Sequence, residues 1–211
     1  MLSPFHGLSN LTQGTVAVWV RIPSVSGDLS TQTVQIFDCG SSMSASISQL
    51  ALSMTITSPS GQSTSLSSTP LSTNTLSSWN SLGFSFRNST ARIYLNGVLV
   101  ASKPLPSALM SNEAESCSIG NSLDGQTEFN GQMRHLVFSK LGLDQTINVN
   151  SLIRAVAIPT DPNLLAAFQF QNGFGQHESL FVNASSNVLI KNVASESSSE
   201  PETVCYCTTT P

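Results

Sequence analysis

The groups in this 211-residue chain that could carry chemistry are twelve acidic side chains, three histidines and four cysteines, and their spacing decides what chemistry is open. Retaining glycoside hydrolysis needs two carboxyls about 5 Å apart. Glu113 and Glu115 precede a strand-like run beside Cys117 and read as solvated. Glu196, Glu200 and Glu202 fall in a polar tail. His6, His135 and His177 are scattered, with no serine–histidine–acid arrangement in view. His135 lies in a strand-like run and reads as a rim residue rather than a base. Without convergent groups the chain is read as non-enzymatic.

Cys39 and Cys117 lie far apart, each beside a strand-like run (QIFDCG and ESCSIG), and are expected to form a disulfide; the alternative is two unrelated buried thiols. The Cys205-x-Cys207 pair is too tight to close on itself comfortably and is expected to pair with a partner or a downstream segment. A zinc site would need a second close ligand pair, which the sequence lacks. Glycosylation sequons begin at Asn10, Asn88 and Asn183, and Asn88 falls between two strand candidates where a turn would expose it.

Charged residues make up 9% of the chain, against roughly 25% in ordinary domains. Serine, threonine, asparagine and glutamine replace them, which suits a glycosylated extracellular protein or a subunit packed against neighbours. A net charge of −4 and a pI near 5.2 supply no basic stripe for nucleic acid. No run of about 18 apolar residues is present to span a membrane. The opening MLSPFHGLSN has neither the basic nor the apolar region of a signal peptide, so a secretory signal is expected upstream.

The elements that must position any site are set by period-two alternation. Val16, Val18, Val20 and Ile22 share one parity, while Ala17 and Trp19 take the other, so this strand is expected to be buried on both faces. Val34–Phe37 is a short strand, and Leu50, Leu52, Met54 and Ile56 mark a half-buried one. Residues 58–78 read as a turn, a short edge strand and a loop. Leu82, Phe84 and Phe86 alternate with small residues; after the turn at 87–90, Ala91, Ile93 and Leu95 run up to Asn96-Gly97. Asn-Gly is a strong signal for a two-residue type I′ hairpin, because both central residues need positive φ. That loop places Leu95 opposite Val98 and Ile93 opposite Val100, all on one face. Further strands are expected at 117–120, 133–139, 164–170 and 188–190, with Asp144 capping a helical turn. Sustained helical periodicity is absent, so the chain is read as an all-β, two-sheet antiparallel sandwich.

Four stretches in order, TVAVWVRIPS, WNSLGFSFRNSTARIYLNGVLVAS, SIGNSLDGQTEFNGQMRHLVFSK and LGLDQTI, resemble the laminin G-like, or concanavalin A-like, β-sandwich domains over about residues 15–150. The resemblance implies a jelly-roll fold. It departs from the family's order in one respect: NLLAAFQFQNGFGQHESLFVNASSNVLIKN, residues 163–192, is similar to the family's N-terminal segment but comes last. It either completes this sandwich or begins a next repeat, and a slice of a longer repeated surface protein is favoured. The sandwich is taken as 1–193 and the polar 194–211 as a linker or tail.

The resemblance also implies possible ligands. Glycosidases of this fold class carry an E-x-D-x-x-E strand that is missing here. Relatives bind Ca²⁺ through rim-loop oxygens, and Asp124, Glu128 and Asn130 supply hard donors of that kind; Asp124-Gly125 and Asn130-Gly131 are equally good turn pairs. Trp19 and Trp79 match positions that pack in or against the core, which leaves Tyr94 as the ring expected to meet a ligand. The sequence therefore reads as a non-enzymatic extracellular module, structural or adhesive, contacting copies of itself, other surface proteins or glycans. No cofactor is required, with Ca²⁺ optional. A lectin-like carbohydrate-binding module is the alternative.

Overall fold

The computed structural model describes residues 11–23, 31–40, 42–58, 60–105, 117–127, 129, 131–143 and 163–167, with the backbone of Phe168 and of four later strands. The alternating runs form β1 (Gly14–Arg21), β2 (Thr33–Asp38), β3 (Met43–Ser48), β4 (Ala51–Thr57) and β5 (Ser63–Ser67). One helical turn, α1 (Thr73–Leu76), follows, capped by the Ser72 hydroxyl accepting from the Thr75 N–H at 3.0 Å. Then come β6 (Asn80–Arg87), β7 (Thr90–Leu95), β8 (Val98–Pro104), β9 (Ser118–Ile119), β10 (Gly131–Ser139) and β11 (Leu164–Phe168). The later strands are β12 (Ser179–Val182), β13 (Leu189–Ile190), β14 (Val193–Ala194) and β15 (Cys205–Cys207).

Two sheets result. The larger runs β12-β11-β10-β1-β6-β7-β8, with β15 paired to β10 and β14 to β15; the smaller runs β13-β9-β2-β3-β4-β5. All pairs are antiparallel except β9 with β13. β11, from the late segment, pairs with Leu136–Ser139 of β10. Cys205–Cys207, expected in a linker, pairs instead with Gly131–Met133. The expected turn at Asp144 lies outside the described residues, as do Asn10, Asn183, Glu128 and Asn130.

Between the sheets the inward parities meet. β2 carries a bulge between Gln35 and Phe37 that puts the successive residues Ile36 and Phe37 both in the core. The Gln35 carboxamide holds the bulge, donating to the carbonyls of Phe37 at 2.6 Å and Ala45 at 3.1 Å. Phe37 then stands edge-on to Phe84 and Phe138 of the larger sheet, each at 5.9 Å between centroids. Nearby, Cys39 and Cys117 are joined by a disulfide that closes a separation of 78 residues.

β3 was not expected from the sequence. Its inward residues Met43, Ala45 and Ile47 alternate with serines, and the middle one is small, so the apolar signal is thin. Its outward residues belong to a hydroxyl-lined face on the smaller sheet. Thr33 meets Ser48, Ser53 meets Ser67, Thr55 meets Ser65 and Thr57 meets Ser63, at 2.8–3.0 Å between oxygens.

The Asn96-Gly97 hairpin forms with positive φ at both residues (51° and 82°). Its register departs from expectation. Leu95 pairs with Val98 and Tyr94 with Leu99, but a shift then places Ile93 opposite Ala101 instead of Val100. Ile93 is buried in the core while Val98 is 65% exposed, so the four apolar residues do not form one continuous packed face. The extra residue in β8 breaks the parity beyond the first pairs. Asn88 and Ser89 also adopt positive φ (50° and 53°) at the exposed turn between β6 and β7.

On the outer side of the larger sheet, residues 140–143 cross over β1 and β6. The Leu143 N–H donates to Ser85 Oγ at 2.7 Å, and Thr15 Oγ1 donates to the Leu141 carbonyl at 2.6 Å. Gly142 permits the approach, because a Cβ there would lie 2.6 Å from both the Arg87 Cβ and the Phe86 carbonyl oxygen. Ser85 is fully buried, and Ser85→Ala leaves the Leu143 N–H only its longer bond to Thr15 Oγ1 at 3.2 Å, so it should cost about 1 kcal/mol, read by urea denaturation. Replacing Cys39 and Cys117 together by alanine should cost about 2–4 kcal/mol in the same assay, and an unchanged midpoint would show that the bridge contributes little.

Candidate functional site

Outward residues of β1 are Thr15, Ala17, Trp19 and Arg21, the parity opposite to the core-facing valines. Ala17, Tyr94, Val137, Leu143, Leu164 and Ala167 form a second buried cluster on this side, and Trp19 packs at its margin. Trp19 is only partly buried, as is Trp79 immediately before β6. Both were expected in or against the core. Trp19 does pack against an apolar cluster, but on the outer face, and the two indoles share a partner that sequence reading missed: Arg134. Its guanidinium lies 4.3 Å from the Trp79 ring centroid and 5.4 Å from that of Trp19. Each such contact is worth about 0.5–2 kcal/mol, more as water is excluded.

A bulge puts Arg134 there. On β1 one residue, Val18, lies between Ala17 and Trp19; on β10 two, His135 and Leu136, lie between their partners Arg134 and Val137. His135 sits at the irregularity with φ 50°, in the left-handed region. Without the extra residue Arg134 and Val137 would point to opposite faces; with it both look outward. The neighbour of β10 also changes here, from β11 along Leu136–Ser139 to β15 along Gly131–Met133. The signal for this in the sequence was the run Leu136-Val137-Phe138, three apolar residues that a strand buried on both faces can hold.

Trp79 is fixed by polar bonds rather than by burial. The Asn80 carboxamide donates to the carbonyls of Thr75 and Ser78, both at 2.7 Å, and accepts from the Asn96 carboxamide at 2.9 Å. The Asn96 Oδ1 accepts from the Ser81 N–H at 2.9 Å. Arg21 donates through Nε to the Ser77 carbonyl at 3.1 Å, and the Ile22 N–H donates to the Leu76 carbonyl at 2.8 Å. The Asn96-Gly97 turn, α1 and β1 thus hold the chain on either side of Trp79. The result is a patch of two indoles and two guanidiniums, Trp19, Trp79, Arg21 and Arg134, at one end of the outer face. Flat apolar rings ringed by fixed donors suit a ligand with apolar faces and oxygen-rich edges.

The other expected site residues fare differently. Tyr94 is 3% exposed and lies inside the second cluster, so it does not present a ring to ligands; β7 turns it onto the same face as Ala17 and Val137, where the larger sheet is covered. Asp124 is exposed in the loop after β9. Its Oδ1 accepts from the Ser122 hydroxyl and from the Gln126 N–H at 3.0 Å, and these bonds, the hydroxyl first, hold its carboxyl below the ordinary value. The loop closes on itself, with the Thr127 N–H donating to Ser122 Oγ at 2.9 Å and the Leu123 N–H to Asp38 Oδ2 at 3.0 Å. No group of three or more histidine, cysteine or acidic side chains that could hold a metal occurs among the described residues.

A family model described as the concanavalin A-like lectin/glucanases superfamily matches residues 2–146. No curated protein matches the sequence. Among solved structures, a candidate carbohydrate-binding protein from Bacteroides ovatus superposes with a TM-score of 0.61 at 13% identity, covering 97% of this chain and 54% of that one. The botulinum neurotoxin serotype G binding domain gives 0.55 at 18% identity, covering 72% of this chain and 39% of its own. The binding domain of Paraclostridial Mosquitocidal Protein 1 gives 0.51 at 12%, covering 70% and 38%. The chain therefore spans about half the length of the first and less of the others, and at these identities the likeness is one of fold. The ordered motifs, the facing sheets and the family match agree: the chain belongs to the concanavalin A-like lectin/glucanases superfamily, as a laminin G-like β-sandwich.

Proposed function

We propose that the protein is a non-enzymatic, extracellular binding module that holds glycan through the Trp19–Arg134–Trp79 patch, as part of a larger adhesive surface protein. The observation that carries this reading is the pair of partly exposed indoles set by a backbone-bonded frame on one outer face. The structural neighbours described as carbohydrate-binding or as toxin binding domains support a binding role. The superfamily also contains glucanases. The two described carboxylates, Asp38 and Asp124, are both engaged by loop donors, which supports binding over hydrolysis. An oxidising compartment is supported by the Cys39–Cys117 disulfide. No helix among the described residues is long and apolar enough to cross a membrane. Glycosylation at Asn88 would fall on an exposed turn.

A second reading, contact with copies of itself, is favoured by one observation. The large exposed hydrophobics among the described residues are Val98, at 65%, and Leu99, at 37%, both on the edge strand β8. An open edge of that kind is a template for pairing unless it is protected. If it is an interface, Val98→Lys converts an associating species to monomer in analytical ultracentrifugation; a wild-type chain that is monomeric at high concentration removes this reading.

Glycan-array binding tests the main proposal. Trp79→Ala should weaken binding by about tenfold or more, since an aromatic contact of this size carries at least 1–2 kcal/mol, while the melting temperature moves only a few degrees. Binding unchanged in both Trp79→Ala and Trp19→Ala would sink it. The chain has two tryptophans and both line the patch, so ligand should also shift the intrinsic emission. Calcium held by Asp124, Glu128 and Asn130 is carried as an optional part of the proposal. If it contributes, titration with CaCl₂ yields heat that Asp124→Asn abolishes, and EGTA weakens glycan binding.

A further inference from the structure

The Asn96-Gly97 turn carries a reaction of its own. An asparagine followed by glycine can lose ammonia to its own backbone. The Gly97 nitrogen attacks the Asn96 Cγ and the new C–N bond closes a cyclic imide. The Cγ–Nδ2 bond breaks, and the departing nitrogen leaves as ammonia with the proton given up by Gly97. Water then opens the ring to aspartate or isoaspartate. Glycine favours the attack because no side chain shields its nitrogen. Both residues are exposed, with φ 51° and 82°.

In the folded chain the reacting carboxamide is held at both of its polar atoms. Its Oδ1 accepts from the Ser81 N–H and its Nδ2 donates to Asn80 Oδ1, each at 2.9 Å. The orientations are forced. The Ser81 N–H needs an oxygen, and Asn80 has its Nδ2 committed to the carbonyls of Thr75 and Ser78, both at 2.7 Å, so it shows Asn96 only an acceptor. Attack requires the Asn96 carboxamide to leave both partners and turn toward Gly97. The product cannot restore the lock. A carboxylate at position 96 has no N–H for Asn80 Oδ1 and sets oxygen against oxygen, in a place where Asn80 is 3% exposed. If the Asn80 carboxamide rotates to offer its Nδ2, it abandons the two carbonyls that fix the chain ahead of Trp79. Isoaspartate adds a backbone carbon as well, which a two-residue turn cannot absorb in register.

From this geometry we infer that Asn96 is a site of spontaneous deamidation, restrained in the folded protein by Asn80 and Ser81, and that the reaction releases Trp79 and so ages the binding patch. The consequence for the patch rests on the glycan-binding proposal above; the restraint and the release of Trp79 do not.

The first test follows the reaction itself. The full chain, folded or unfolded in urea, is incubated in mildly alkaline buffer, and the peptide holding Asn96 is followed by mass spectrometry. The other Asn-Gly pairs of the chain, at Asn130 and Asn172, calibrate the unrestrained rate in urea. Asn96 should react about tenfold or more slowly in the folded chain than in urea, because two bonds are lost before attack. Equal rates would overturn the inference.

Asn96→Asp reproduces one product. Trp19→Phe leaves Trp79 as the sole indole, and in that background Asn96→Asp should move the emission to the red while the far-ultraviolet circular dichroism stays that of the parent. Unchanged emission would overturn the inference. If Asn96→Asp does not fold, Trp19→Phe chain aged until Asn96 has reacted gives the same reading. With Trp19 in place, Asn96→Asp should weaken glycan-array binding about as much as Trp79→Ala. A shifted emission with glycan binding intact would overturn the ageing of the patch. A shifted emission in a protein that binds no glycan supports the release of Trp79 and sinks only the glycan-binding proposal.

Discussion

Phe37 meets Phe84 and Phe138 only because β2 carries one residue too many between Gln35 and the partner strand. A regular strand would place Ile36 and Phe37 on opposite sides. The bulge brings both inward, and the Gln35 carboxamide holds it by bonding the carbonyls that the irregular ladder exposes. The three rings then fill the space where the two sheets are stacked, close to the disulfide that ties the end of β2 to the start of β9. Sheets packed face to face stand about 10 Å apart, a gap that aromatic side chains from both sides can span. The register of β1 and β10, and through it the outer face, follows from that packing, because those strands must put their valines, methionine and phenylalanine inward first.

The same device recurs on the outer side of the larger sheet. β10 has to bury Met133, Leu136 and Phe138 toward the core and Val137 toward the outer cluster. A strict alternation cannot do this, and the irregularity at His135 resolves the conflict. Its by-product is an arginine delivered between two tryptophans. One inserted residue both meets the packing demand and builds the aromatic patch, in keeping with the frequency of bulges beside functional sites.

Much of the frame was legible in the sequence. β1 announced its double burial through alternating valines opposed by Ala17 and Trp19. Asn96-Gly97 announced its turn through the positive φ that few other pairs accept. Bulges were not legible, because an extra residue leaves no mark on composition and shows only as a run of apolar neighbours. That blindness accounts for the misplaced partner of Ile93 and for the neglect of Arg134, whereas Tyr94 points outward as alternation requires and is buried because Leu143, Leu164 and Ala167 cover that face. β3 escaped for another reason: serine and alanine at alternate positions carry little hydrophobic contrast, and its strand character comes from pairing with β2 and β4. Of the late strands, β11 and β13 were seen as strands but could not be assigned to a sheet, since local pattern carries no address, and β12, β14 and β15 were not seen.

The hydroxyl pairs of the smaller sheet give that side a different character. In each of the four contacts either oxygen can be the donor, so each pair has two proton arrangements of nearly equal energy. Rotation of two hydroxyls exchanges them at almost no cost. Such a face shows the solvent no lasting pattern of positive and negative, only a set of small dipoles that reverse independently. Solutes that need a fixed arrangement of partners find none there, while the opposite side, with its clamped guanidinium, has one orientation to offer. The molecule is in this sense indifferent on one side and discriminating on the other.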